Sequence, residues 1–347
     1  MKTTFYGVRG SVAAPLTAAQ LSEKISRALI TLAKDPVLLA KFLTLLTSLD
    51  GFGAAEQSKR VVAFLEEHLP FELYGTYGGN TTCLAVRCGD LPMILDMGTG
   101  MRPLGNAMMP EVFANGGING VVLTSHSHWD HIQGMPFFGP LFMSRKKFKN
   151  EFKFCGGKAW DSQIDIVLAG QMSAPYFPVT LAEIRQTRLQ METESVYDEW
   201  ESAFQSSDGK QVKVLARTLN HPQDTFGYRL EYGGQTIAWT TDHEPYGAGI
   251  PLPLLDLVQD ADLWITDCQY TLDMYTGKKG GVQRHGWGHS YPEYIAEVAR
   301  TAKPGRIVTI HHDPSADDLL IEEIAAQVEQ LSGIKTTPAY EGLVIDL

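Results

Sequence analysis

Apolar residues in this chain recur with two periods, and the two periods partition it. Leu21, Ile25, Leu29 and Leu32 keep the three-to-four spacing of a helix, as do Val61, Val62, Leu65 and Leu69. The apolar segment 37–49, interrupted by Lys41, reads as a core helix, and Asp50-Gly51-Phe52-Gly53 separates it from the next. Residues 17–69 are therefore expected to be helical. A short strand in 1–12 precedes them and ends in Gly7-Val8-Arg9-Gly10-Ser11.

Period-two or continuous apolar runs then predict strands at 82–88 and 93–97, with a turn at Gly89-Asp90 and a tight turn at Gly98-Thr99-Gly100. A helix is expected over 102–115 and a buried strand over 119–124. Residues 145–205 are mixed. They open with the basic run Arg145-Lys146-Lys147-Phe148-Lys149, hold the bracketed aromatics Pro175-Tyr176-Phe177-Pro178, and read as a lid-like segment. Strands return at 212–218, 226–232 and 236–241, the last two joined at Gly233-Gly234. A helix at 251–259, a strand at 263–266, a helix at 291–301, a strand at 306–310, a helix at 316–332 and a strand at 343–347 complete the pattern. Strands followed by helices occur twice, which suits two similar halves packed sheet to sheet.

Composition adds limits. The 347 residues are 44% hydrophobic, enough for a large core, and carry a formal charge of −11. Such acidity disfavours nucleic acid and anionic membranes as partners, yet leaves small anionic substrates open where metal ions supply local positive charge. No stretch reaches the ~20 apolar residues that span a bilayer, and residues 1–8 lack a signal-peptide run. Cys83, Cys88, Cys155 and Cys268 show no CxxC spacing. They read as buried thiols of a reducing compartment, so the cytoplasm is the expected location.

The chemistry concentrates at His126-Ser127-His128-Trp129-Asp130-His131, directly after the 119–124 strand. Three imidazoles and a carboxylate within six residues form a donor set for Zn, Mn or Fe. His221, Asp242, Asp267, His311 and His312 each also follow a predicted strand, and strand ends along one sheet edge are where such folds gather a site. Together these groups suffice for two divalent ions about 3.5–4 Å apart around a bridging hydroxide. His289, in Gly286-Trp287-Gly288-His289-Ser290, is the expected proton donor, with Asp267 orienting it. The competing view of His289 is a residue beside a helix cap, with Ser290 as that cap. Tyr176 and Phe177 read either as stacking platforms for a base or as core.

His126-x-His128-x-Asp130-His131 resembles the signature of the metallo-β-lactamase superfamily. Gly7-Val8-Arg9-Gly10-Ser11, Gly78-Gly79-Asn80-Thr81-Thr82-Cys83, Asp96-Met97-Gly98-Thr99-Gly100, Gly288-His289-Ser290 and His311-His312-Asp313-Pro314 are similar to its branch of tRNase Z-type nucleases and small phosphodiesterases. The resemblance implies an α+β fold, a four-layer αββα sandwich formed as one domain over 1–347. The chain departs from that pattern at about 13–75, a helical insertion expected to cap the site or form a homodimer face. It implies His126, His128 and His221 on a first metal and Asp130, His131 and His311 on a second, with Asp242 bridging. His311 is preferred to His312 because it directly follows the strand, leaving His312 as a supporting or alternative ligand. Asp130, His289 and Asp267 are then the catalytic groups.

The expected activity is hydrolysis of a small phosphodiester such as a cyclic nucleotide, with zinc the favoured metal. Processing of tRNA 3′ ends is an alternative, weakened by the acidic charge and the short basic run. Hydrolysis of a thioester, lactone or β-lactam is another. A non-catalytic metal-binding protein fits less well, because structural zinc sites are closed, four-coordinate and commonly use Cys.

Overall fold

The computed structural model describes residues 1–144, 146–157, 163–187, 190–247, 249–278 and 281–347. Arg145 of the basic run lies outside them; Lys146, Lys147 and Lys149 are exposed. The chain divides into two compact units, Met1–Ala14 with Gly78–Leu347, and Pro15–Tyr77.

The larger unit holds two seven-stranded sheets. In chain order the strands of the first are β1 (Lys2–Gly7), β2 (Cys83–Cys88), β3 (Leu91–Leu95), β4 (Asn119–Thr124), β5 (Glu151–Gly156) and β6 (Gln190–Ser195). Those of the second are β7 (Glu201–Gln205), β8 (Gln211–Leu219), β9 (Thr225–Tyr232), β10 (Gln235–Thr240), β11 (Leu263–Asp267), β12 (Ile307–Ile310) and β13 (Thr336–Pro338). The final strand, β14 (Val344–Asp346), returns to pair with β1. The orders are β14-β1-β2-β3-β4-β5-β6 and β13-β12-β11-β10-β9-β8-β7. Pairing is parallel from β3 to β6 and from β10 to β13, so the carboxyl ends of these strands emerge on one edge of each sheet.

The helices, in chain order, are α1 (Ala18–Lys34), α2 (Pro36–Ser48), α3 (Ala54–His68), α4 (Phe71–Tyr74), α5 (Met101–Asn115), α6 (Trp129–Ile132), α7 (Ile164–Gln171), α8 (Leu181–Thr187), α9 (Leu252–Val258), α10 (Leu272–Thr276), α11 (Pro292–Ala302) and α12 (Asp318–Ser332).

Side-chain alternation along the strands builds the layers. Met93, Leu95, Val121 and Leu123 from one sheet join Val214, Tyr228, Trp239 and Ile265 from the other in a core between the sheets. The intervening Ile94 and Val122 turn outward onto Leu104 and Met108 of α5 and Leu168 of α7. Ala238 and Trp264 turn outward onto Leu254 of α9, Val298 of α11 and Ile324 of α12. Strands covered on both faces read as unbroken apolar runs, which is why 119–124 and 263–266 lack polar alternation. Three apolar layers between four structural layers make the expected αββα sandwich.

The 145–205 segment supplies β5 and β6 to the first sheet and β7 to the second, with α7 and α8 between β5 and β6. One expectation is corrected. The segment 37–49 is a helix, but α2 buries none of its residues; Val37, Leu43 and Leu46 are exposed and only the following Leu49 is buried. Likewise, of the α1 stripe Leu32 is buried whereas Leu21, Ile25 and Leu29 are exposed. A unit this small cannot enclose every apolar face of its helices. The break between α1 and α2 comes from Asp35, whose carboxylate accepts from Val37 N at 2.9 Å and Leu38 N at 3.0 Å, with Pro36 at the first helical position.

Candidate metal centre

The sheet edges deliver the site. β4 ends two residues before His126, β10 two before Asp242 and β12 immediately before His311, while Asp267 is the last residue of β11. Asp96, Asp242 and His311 have φ of 59°, 49° and 62°. This left-handed turn aims each side chain off the strand end, a conformation non-glycine residues adopt at a cost of about 1–3 kcal/mol and keep mainly at functional positions.

Two clusters result. One ligand atom from each of His126, His128 and His221 lies within 4.8 Å of the others, and the same holds for Asp130, His131, Asp242 and His311. His126 Nε2 is 2.9 Å from His128 Nδ1. His131 Nε2 and His311 Nε2 are 3.2 Å apart and each is 3.1 Å from Asp130 Oδ2. Asp242 stands between the clusters: Oδ2 is 3.6 Å from His126 Nε2, 3.8 Å from His221 Nε2 and 3.3 Å from His131 Nε2, and Oδ1 is 3.2 Å from His311 Nε2. Donors on a tetrahedral ion with bonds of about 2.0–2.1 Å stand about 3.3 Å apart. The spacings therefore suit divalent cations.

Charge points the same way. Burial, assisted by His131, holds His126 well below the ordinary histidine range, and burial pushes His221 down to about 4. His128 is lowered by burial and by His131. Neutral imidazoles are the form that coordinates metal. His131 is the exception: burial opposes its charge, but Asp130, Asp242 and Asp96 outweigh burial and raise its pKa well above normal. Burial likewise works against ionisation of Asp130 and Asp242, yet the surrounding imidazoles hold both well below the usual carboxylate range. Buried carboxylates facing largely neutral imidazoles favour added positive charge, which divalent ions would supply.

Asp96 is a site residue without a predicted role. Its Oδ2 is 2.5 Å from His131 Nδ1 and accepts from Ser125 Oγ at 2.8 Å, while Oδ1 accepts from Ser125 N at 2.8 Å. Ser125 Oγ is in turn 3.0 Å from His126 Nδ1. One buried carboxylate thus orients an imidazole in each cluster and leaves Nε2 of both rings facing the centre. Its signal in the sequence is the Asp-Met-Gly-Thr-Gly turn after β3. Gln269 Oε1 holds His311 Nδ1 at 3.3 Å. The Gly7–Ser11 motif acts from the side. Ser11 N donates to Asp130 Oδ2 at 2.7 Å, and a side-chain carbon at Gly10 would sit 2.4 Å from His311 Cε1.

His312 is placed elsewhere. It is buried, its Nε2 donates to Ala339 O at 2.9 Å, and burial lowers its pKa to about 3. His289 lies at the centre, its ring stacked on His311 at 4.9 Å. Its Nδ1 is 3.0 Å from Asp267 Oδ2. Burial opposes its charge, but Asp267, with Asp242 and Asp130 beyond, raises its pKa. Ser290 is not a helix cap: its hydroxyl donates to the His243 carbonyl, and Tyr291 occupies the cap position. Of the bracketed aromatics, Phe177 packs on Phe137 at 5.8 Å against the core, and Tyr176 is exposed. The four cysteines are buried and free.

Residues 115–312 match the β-lactamase superfamily domain, more than half of the chain and all of its His- and Asp-bearing strand ends from β4 to β12. The chain belongs to the metallo-β-lactamase superfamily. Solved structures of this fold match over nearly the full length. The metallo-β-lactamase fold protein YhfI from Bacillus subtilis is 13% identical with a TM-score of 0.58, covering 99% of this chain and 98% of its own. A diphosphatase of the PhnP family is 16% identical with a TM-score of 0.56, covering 100% and 97%. The short form of human tRNase Z is 16% identical with a TM-score of 0.54, covering 100% and 99%. At such identities the likeness is one of fold. No curated protein matches the chain. As a member of the superfamily, the chain is a metal-dependent hydrolase in the general sense, with a candidate His/Asp centre for divalent metal. Among the described residues, no helix is long and apolar enough to cross a membrane.

Proposed function

We propose that this metallo-β-lactamase-fold protein hydrolyses a small phosphodiester, such as a cyclic nucleotide, at a centre holding two divalent ions, zinc favoured by the His/Asp donors. The observation that carries the reading is the position of the Asp242 carboxylate, whose oxygens face the histidines of both clusters. His126, His128 and His221 would hold one ion and Asp130, His131 and His311 the other, with Asp242 shared. Bound ions would lower the pKa of water and neutralise charge on a phosphoryl group. The chain's own contribution is proton delivery. Asp267 fixes His289 through Nδ1, so Nε2 is the atom that would give its proton to the departing oxygen. Against the opposing effect of burial, Asp267 also favours the protonated form of the ring. A PhnP-family diphosphatase and tRNase Z among the structures of like fold agree with phosphorus chemistry.

The test is turnover of bis-p-nitrophenyl phosphate by metal-loaded protein, compared with a carboxylic ester. The reading expects the phosphodiester to be preferred and Asp130→Ala to abolish its cleavage while the circular dichroism spectrum is retained. Unchanged turnover in that variant defeats the mechanism.

A further inference from the structure

The metal centre is closed on most sides. His126, Asp130, His131, Asp242 and His311 are buried, the His221 side chain is only 2% exposed, and His128 is exposed. The rings of His128 and His221 lie 5.0 Å apart, so the centre's open edge is at His128, with His221 beneath it.

Each flank of that edge carries an exposed tryptophan. Trp129 follows His128 directly and is 76% exposed. Trp287 precedes Gly288, and Gly288 presses on His221: a side-chain carbon there would lie 2.1 Å from His221 Cδ2 and 2.7 Å from its Nε2. Trp287 is 52% exposed. By contrast Trp200, Trp239 and Trp264 are buried. Among the described residues, both exposed tryptophans therefore sit beside the site in the chain, one next to His128 and one next to the glycine packed on His221.

The backbone at both positions is hydrogen-bonded. Trp129 opens α6, its carbonyl accepting from Gln133 N at 2.8 Å. Trp287 N donates to Arg284 O at 3.1 Å, and Gly286 N donates to Glu244 Oε2 at 2.9 Å. The Arg284 guanidinium lies 4.4 Å over the Tyr270 ring and 5.9 Å from that of Trp287, anchored by Asp313 at 2.8 Å. Between the flanks, Gln223 Nε2 donates to Ser127 Oγ at 3.0 Å, giving the edge a polar floor. Aromatic rings beside polar groups suit a planar ring with hydrogen-bonding edges, because stacking needs a π-face and little else.

We propose that Trp129 and Trp287 form a recognition platform for a nucleobase at the mouth of the metal centre, selecting nucleotide diesters over sugar or alkyl ones. The inference rests on the phosphodiesterase reading and names its substrate class. It shifts the stacking role from Tyr176 and Phe177 to the two tryptophans.

The test compares binding of adenosine 5′-monophosphate with ribose 5-phosphate by calorimetry on the metal-loaded protein, with tryptophan emission followed in parallel. The platform requires adenosine 5′-monophosphate to bind at least about tenfold tighter and to quench emission. It requires Trp129→Ala and Trp287→Ala each to cut that preference by about tenfold, and Trp→Phe at the same positions to restore most of it. Equal affinity for the two ligands, or a preference untouched by both alanine variants, overturns the platform. Base preference that persists in a protein unable to cleave bis-p-nitrophenyl phosphate supports the platform and removes only the hydrolytic reading. Cleavage without base preference does the reverse.

Discussion

Replacing Asp96 with Asn is the sharpest probe of how the centre is held, because it changes one atom and alters two imidazoles. Asp96 uses Oδ1 for Ser125 N and Oδ2 for both Ser125 Oγ and His131 Nδ1. The carboxylate only accepts; an amide accepts on one side and donates on the other. If the amide nitrogen replaces Oδ1, it meets the Ser125 N–H donor to donor. If it replaces Oδ2, it faces His131 Nδ1, and the ring relieves the conflict by carrying its proton on Nε2, the atom that faces Asp130 and His311. A buried mismatched donor costs about 1–3 kcal/mol. Loss of such an orienting partner typically costs about 10–100-fold in metal affinity, or about 1.4–2.7 kcal/mol. Because Ser125 also lies against His126, both ions should weaken in Asp96→Asn. The assay is competition with a chromophoric zinc chelator, with circular dichroism confirming the fold. Zinc affinity and stoichiometry equal to the parent would refute the orienting role.

Other outcomes follow from the same geometry. Gly288→Ala places a methyl 2.1 Å from His221 Cδ2 at a φ of +85°. It should lower occupancy of one ion by about tenfold or more in equilibrium dialysis, sparing the other. Asp267→Asn should retain metal but lose about 10–100-fold in kcat on phosphodiesters with poor leaving groups, with a much smaller loss on p-nitrophenyl leaving groups that need no acid. Chelation of zinc should lower Tm by about 3–8 °C in differential scanning calorimetry, and excess zinc should restore it; an unchanged Tm contradicts the metal requirement.

What the sequence disclosed depended on how locally each feature is encoded. His126, His128, Asp130 and His131 stand side by side in the chain, and Asp242, Asp267 and His311 each follow an apolar run, so their convergence was legible from strand ends alone. The preference for His311 over His312 came from the same reasoning, and the strand end does present His311 inward. The orienting role of Asp96 was not legible, because it depends on a contact with His131 across 35 residues. Nor was the left-handed backbone at Asp96, Asp242 and His311, since Asp and His carry no local mark of positive φ as glycine does. Strands β5 to β7 are not legible in the sequence because short strands with interleaved charges, such as Glu151-Phe152-Lys153-Phe154, carry a weaker period than the buried parallel ones. The apolar spacing of 21–32 predicts α1, and the apolar run 37–49 predicts α2 as a helix but not its exposure. Periodicity, however, reports a face and not its cover, so the exposure of Leu21, Ile25, Leu29, Val37 and Leu43 could not be foreseen.

Everything proposed for this chain turns on paired cations at the sheet edges. Diffraction from zinc-loaded crystals at the zinc absorption edge, combined with elemental analysis, tests it most directly. The account predicts about two zinc ions per chain, one among His126, His128 and His221 and one among Asp130, His131 and His311, with Asp242 touching both. Metal-replete protein with no anomalous peak in either cluster would contradict it.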